Sequence, residues 1–192
     1  SVAYWYMEKP VRLSGTMPPA EERITSYREL KNPPGVFRLH FMDAEIPPGV
    51  SCDIQDVGSF TDADNKWFFS DHLFCEKNTS DSVVLFQWVT EELCSGDMVF
   101  RMTQAPDYGR LAILLDDELL IPEFNGYHPK VRPVLVPAGN RILPAGRHVM
   151  TIRTLGKDDR STGFLWGMDY FRIGGVPPDI EEDTVRLRNG GE

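Results

Sequence analysis

The sequence has no hydrophobic run long enough to cross a membrane, so no membrane partner is expected. Beyond residue 30 it shows no useful length of apolar 3.6-residue periodicity, which excludes a helical bundle. Cysteine is scarce, with 3 in 192 residues. Cys52, Cys75 and Cys94 cannot all pair with one another, and none stands in a Cys-x-x-Cys pattern, so a zinc site is not expected. They read as buried thiols in strands, with a Cys75–Cys94 bridge open to an exported protein. The 4 histidines (His40, His72, His128 and His148) show no metal-ligand spacing. No Gly-x-Ser-x-Gly elbow and no Gly-rich phosphate loop occurs. Basic residues are in the minority, 20 against 29 acidic ones, for a net charge of −9. That balance argues against a nucleic-acid surface, which needs clustered Lys and Arg. Neutral ligands, cations and basic partners remain.

What the sequence does have is short, alternating apolar runs bounded by Gly, Pro, Asn or Asp. In Gly146-Arg-His-Val-Met-Thr-Ile-Arg-Thr-Leu-Gly-Lys157, Val149, Thr151 and Arg153 alternate with Met150, Ile152 and Thr154. An aromatic run, Ser161 to Arg172, follows after a polar turn, and the two read as a pair of strands. A similar pair reads at 96–103 and 109–116. Further strands are expected at 36–42, 67–69, 73–75, 83–89 and 131–136, giving eight to ten in all. The expected fold is an all-β, antiparallel jelly-roll β-sandwich over residues 36–173. Residues 1–35 form an N-terminal strand and a Pro-rich linker, in which Pro19-Ala-Glu-Glu22 suits the first turn of a short helix running to Leu30. Residues 174–192 form a polar tail.

The chain opens with Ser1-Val-Ala-Tyr-Trp-Tyr-Met7, an apolar strand with no leader pattern before it. A strand at the first residue reads as a piece of something longer, and it leaves localisation unassigned. Its apolar residues need a partner outside the sandwich, either another copy in a homo-oligomer or an upstream domain.

Carboxylates and aromatics supply the candidate sites. Asp43-Ala-Glu45 and Gly167-Met-Asp-Tyr170 place Glu45 and Asp169 near the first and last strands of the sandwich. If those strands are neighbours, the pair is a site for a structural Ca²⁺, a cation that takes oxygen ligands. Asp62-x-Asp64-Asn65 lacks the Gly and distal Glu of a calcium loop. Asn78-Thr-Ser80 has the form of a glycosylation sequon. Two acidic residues could in principle cleave a glycosidic bond, but no pair singles itself out among so many, and no catalytic residue is assigned. Tyr108, Phe124 and Tyr127 fall in segments read as loops, and Trp67 follows an acidic loop. A flat ring with nearby hydrogen-bonding groups suits the C–H face of a sugar, and Asp107, Asn125 and Arg160 are the polar partners.

These residues, in this order, resemble a known group. Asp43-Ala-Glu45, Trp67, Ala105-Pro-Asp-Tyr-Gly-Arg-Leu-Ala-Ile-Leu-Leu-Asp116, Ala145-Gly-Arg-His-Val-Met-Thr-Ile-Arg153 and Gly167-Met-Asp-Tyr170 resemble the jelly rolls of carbohydrate-binding module families 6 and 35. Those open on an acidic strand and close on an Asp-Tyr strand, although Asp43 stands where Glu is usual. Ser1-Val-Ala-Tyr-Trp-Tyr-Met-Glu-Lys-Pro10 is similar to the closing strand of the catalytic domain of glycoside hydrolase family 172, long called domain of unknown function 2961. Met7 replaces the usual Gln there. The resemblance implies the C-terminal portion of such a protein, with catalytic carboxylates upstream. Its sandwich would be a non-catalytic accessory that binds glycan through loop aromatics, or alternatively a ligand-free domain that builds an oligomer.

Overall fold

The computed structural model describes residues 34–175. The strand expected at 2–7, the helix leading to Leu30 and most of the polar tail lie outside the described residues. Within them the chain forms eleven strands and short 3₁₀ turns, with no α-helix. The strands are β1 (Val36–Phe37), β2 (Asp43–Glu45), β3 (Ser51–Asp56), β4 (Asp71–Glu76), β5 (Val83–Thr90) and β6 (Cys94–Gln104). They continue as β7 (Gly109–Leu115), β8 (Glu118–Asn125), β9 (Arg132–Leu143), β10 (Gly146–Lys157) and β11 (Trp166–Ile173).

Two antiparallel sheets face each other as a jelly-roll sandwich. One has the order β3-β4-β11-β6-β9, with β1 also pairing β11; the other has the order β2-β5-β10-β7-β8. The alternation in the sequence sets which side chains point inward. Met150 and Ile152 of β10 and Leu111 and Ile113 of β7 are buried against Phe100 and Met102 of β6 and Trp166 and Met168 of β11. The two strand pairs read from the sequence are real as strands, but they are not hairpins. β6 and β11 lie in one sheet and β7 and β10 in the other, so each connection arches across the sandwich. Sequential strands pair only at β3–β4 and β7–β8. The β7–β8 turn is Asp116-Asp117, both at positive φ (49° and 68°), as a mirror-image two-residue hairpin turn requires.

Other expectations change in detail. Residues 36–42 form only the two-residue β1, then a 3₁₀ turn at Leu39–Phe41. Trp67-Phe-Phe69 is not a strand: Phe68–Ser70 is a 3₁₀ turn with Phe69 at φ 62°. Cys75 bonds to Cys52, not to Cys94, because Cys52 and Cys75 face each other across the β3–β4 ladder. Cys94, at the start of β6, keeps its thiol. Asn78 is buried, and its amide donates to the Cys75 carbonyl at 3.1 Å.

The aromatic centre of the core is Phe171. Its ring lies 4.9 Å from Phe37, 5.6 Å from Trp88 and 5.7 Å from Phe100, which joins β1, β5, β6 and β11. Phe171→Ala should therefore lower the unfolding free energy by about 3–5 kcal/mol, and Phe171→Leu by distinctly less. Urea titration of the two variants checks the difference; equal losses would mean the ring contacts contribute little.

Candidate functional site

β11 changes neighbours along one flank. β4 pairs it at residues 166–168, and β1 pairs it at 171–172. Between them a bulge, where the register against β6 shifts between Met168 and Tyr170, turns Asp169 away from the core. The Asp169 carboxylate is fully buried on the outer side of that sheet. It accepts the Phe68 backbone N–H at 2.8 Å and lies 3.6 Å from the Arg38 guanidinium and 3.5 Å from that of Arg101. Arg38 also pairs with Asp71 and donates to the Phe68 and Asp71 carbonyls. Arg101 donates to the Lys66 carbonyl at 2.6 Å. Trp67 is buried beside this cluster, its indole N–H donating to Thr103 at 2.9 Å. Thr103 also meets His72, whose pKa burial and then the Arg38 charge depress to about 3, so its ring is neutral.

These contacts correct two expectations. Glu45 and Asp169 are not neighbours: β2 joins the opposite sheet through β5, where Glu45 is exposed and accepts from Gln87. Two guanidiniums flank Asp169 where a cation was expected. Among the described residues no group of three or more His, Cys, Asp or Glu is arranged to hold a metal. Trp67 is a core residue rather than an exposed loop ring. Tyr108 and Phe124 are buried as well. Tyr108 packs 6.2 Å from Phe74 over the outer side of the sheet, and Phe124 points inward from β8. The sequence leaves open whether these rings face solvent or cap the core, and all three are buried.

The remaining expected residues do come together, where three connections converge at one end of the sandwich. These are β6–β7, β8–β9 and β10–β11. Bridges Ala105↔Tyr127 and Tyr108↔Leu165 tie the three together. The fit is close: a Cβ on Gly126 would stand 2.5 Å from the Gly109 carbonyl oxygen and 2.9 Å from the Tyr108 Cβ. The centre of the cluster is Asp158, which the sequence reading did not single out. Its carboxylate accepts from Asn125 Nδ2 at 2.9 Å, from Arg160 Nε at 2.8 Å and Nη2 at 3.1 Å, and from the Arg160 backbone N–H. The Arg160 side chain, then Asn125, then the Arg160 backbone hold its pKa well below the usual carboxylate range. Arg160 remains 69% exposed, with its guanidinium 4.6 Å from the centre of the half-buried Tyr127 ring. Asn125 Oδ1 accepts the Tyr127 backbone N–H at 3.0 Å, and its carbonyl accepts from Gln104. Gln104 in turn holds the Arg132 fork at 3.0 and 2.8 Å. Asp107 sits half-buried in the neighbouring β6–β7 loop, where its carbonyl accepts the Leu165 N–H. Lys157 stands 5.3 Å from the Phe164 ring, also half-buried. The only sequence signal for Asp158 is its place in Lys157-Asp-Asp-Arg160, a polar run that resembles any exposed turn.

No family model matches the chain, and no curated protein matches it. Solved structures do. A xanthan lyase from Paenibacillus superposes with a TM-score of 0.56 at 14% identity, over 78% of this chain and 14% of the lyase. A GH26-CBM35 β-(1,4)-mannanase from Podospora anserina matches at 0.46 and 18% identity, over 77% and 29% of the two chains. A family 35 carbohydrate-binding module from Clostridium thermocellum matches at 0.42 and 14% identity, over 73% and 97%. The chain thus spans a small part of the lyase and of the mannanase. The likeness to the lyase shows a shared sandwich fold.

Burial raises the Asp169 pKa to about 7 despite Arg38, the Phe68 N–H and Arg101. Between about pH 4 and 7 the folded chain keeps a proton that the unfolded chain has lost. Stability should therefore fall as pH rises through that window and level off above it. Asp169→Asn should flatten this slope. At pH 8, where the carboxylate is charged, the substitution should cost about 3 kcal/mol or more by leaving Arg101 and Arg38 without it. Denaturant titrations across pH test both; an unchanged slope would mean that Asp169 does not titrate there.

Proposed function

We propose that this chain is a non-catalytic accessory β-sandwich of a carbohydrate-active protein, and that it binds glycan at the loop end around Tyr127 and Arg160. The observation that carries the reading is the pinned guanidinium. Arg160 is exposed, yet Asp158 fixes one edge of it and the Tyr127 ring supports its face. An exposed arginine normally loses side-chain entropy when it binds; here much of that ordering is already done. Its outer edge and the free edge of the Tyr127 ring offer hydrogen-bond donors beside an apolar surface, the pairing a sugar ring requires. Asn125 and Asp107 border the same surface. Trp67, Tyr108 and Phe124 contribute by shaping the loops rather than by contact. The sequence likeness to carbohydrate-binding modules and to the region after a glycoside hydrolase domain supports the same class. So does a fold shared with part of a xanthan lyase.

A structural role in assembly is the second reading, favoured by exposed Val89, Leu93 and Ile142 at the other end of the sandwich.

A glycan array followed by calorimetry tests the proposal. Arg160→Ala and Tyr127→Ala should each weaken the best glycan about tenfold, or about 1.4 kcal/mol, with little change in melting temperature. Phe124→Ala should lower the melting temperature instead. No glycan bound across the array, or affinity unaltered in both loop variants, would favour the structural role.

A further inference from the structure

The other end of the sandwich carries a second surface. An open groove of about 550 Å³ lies where β5 turns into β6. Phe37, Ile173 and the Cys94 thiol line it, and Val89 and Leu93 stand on it 71% and 61% exposed. Glu91 and Glu92 form an acidic rim. Apolar side chains this exposed and this close together mark a docking surface rather than solvent-facing strand.

The chain itself enters there. Pro34, Gly35 and Gly175 all line the groove. The residues just before Pro34 include Ile24, Tyr27 and Leu30, spaced three apart, so that in a helix they share one face. Arg23, Arg28 and Lys31 lie between and beside them. Four residues of extended chain reach at most about 14 Å, so the tether from Leu30 to Pro34 is short.

We propose that residues 24–30 of this same chain dock in the groove, with Ile24, Tyr27 and Leu30 over Val89, Leu93 and Phe37, and with the basic residues facing Glu91 and Glu92. The short tether sets a high effective concentration, so even a modest apolar contact suffices to hold the segment. Docking there fixes the direction in which the preceding chain leaves the sandwich. Whatever lies further toward the N-terminus is then held at the end of β6 remote from Arg160 and Tyr127, so both surfaces can be used at once.

Cys94 is the only cysteine outside the disulfide and serves as a built-in reporter. In the full chain, Tyr27→Cys should form an intramolecular disulfide with Cys94 under mild oxidation, much faster than Ser14→Cys does. In a chain with native Tyr27, the double substitution Ile24→Asp, Leu30→Asp should raise the alkylation rate of Cys94 at least fivefold. If the Tyr27→Cys variant links to Cys94 only between two chains, the proposal is overturned and the groove belongs to a second copy. Equal crosslinking from positions 14 and 27, or an unchanged alkylation rate, would overturn it by leaving the groove empty of this segment.

Discussion

One buried carboxylate holds the outer layer of this sandwich in place. Asp169 sits at the bulge where β11 exchanges β4 for β1, a place where the ladder leaves a gap along one flank. A gap in the middle of a sheet exposes backbone groups, and burying them without partners costs more than most single side-chain contacts return. Asp169 fills the gap by taking the Phe68 N–H and two guanidiniums. Arg38 and Arg101 then direct their remaining donors to the carbonyls of Lys66, Phe68 and Asp71. In this way a long β3–β4 connection with little regular structure becomes a lid on the sheet. Trp67 and Phe68 are buried because that lid is fixed. Above about pH 7, where Asp169 is ionised, two arginines face the two carboxylates of Asp169 and Asp71, and the members stabilise one another as a set.

The fixed lid has consequences at the far end of β6. Thr103, which receives Trp67 and contacts His72, stands next to Gln104, and Gln104 holds both Arg132 and the Asn125 carbonyl. Neighbouring residues of β6 thus anchor both the buried cluster and the loops beside the Tyr127–Arg160 surface. Asn125 at the end of β8 and Gln104 at the end of β6 tie that surface to strands.

The legible strands include β11, read from its aromatic run although it is buried on both faces, and three that alternate. β5, β7 and β10 alternate because one side of their sheet meets the core and the other meets solvent. β3 and β8 are hidden from such a reading for different reasons. β3, Ser-Cys-Asp-Ile-Gln-Asp, is mostly polar, and its apolar members are only Cys52 and Ile54. β8 carries Pro122 and begins after an Asp-Asp turn, which lacks the glycine that usually marks a two-residue hairpin. Local pattern also has no access to which sheet a strand joins, so adjacent runs resemble hairpins when the connections arch between layers. The same limit misplaces Glu45 and misses Cys52 as the partner of Cys75, which reads as a free thiol with a bridge to Cys94 left open. Both errors concern partners distant in sequence.

Which aromatic residues near loops are buried is not legible in the sequence, and the reason is physical. A sheet face that loops cross is a second, smaller core, and rings are the most effective way to seal it. Trp67 and Tyr108 serve that task, whereas Phe124 fills the core between the sheets from β8. Tyr127 differs from them in one respect: its face is met by a guanidinium rather than by an apolar neighbour. A charged group against a ring keeps that place hydrated at its edge and ordered at its centre, since Arg160 retains solvent while Asp158 limits its rotamers. Order without burial is what a binding surface requires. Within the loop cluster the combination rests on Asp158, a carboxylate only 10% exposed beside an arginine that is 69% exposed.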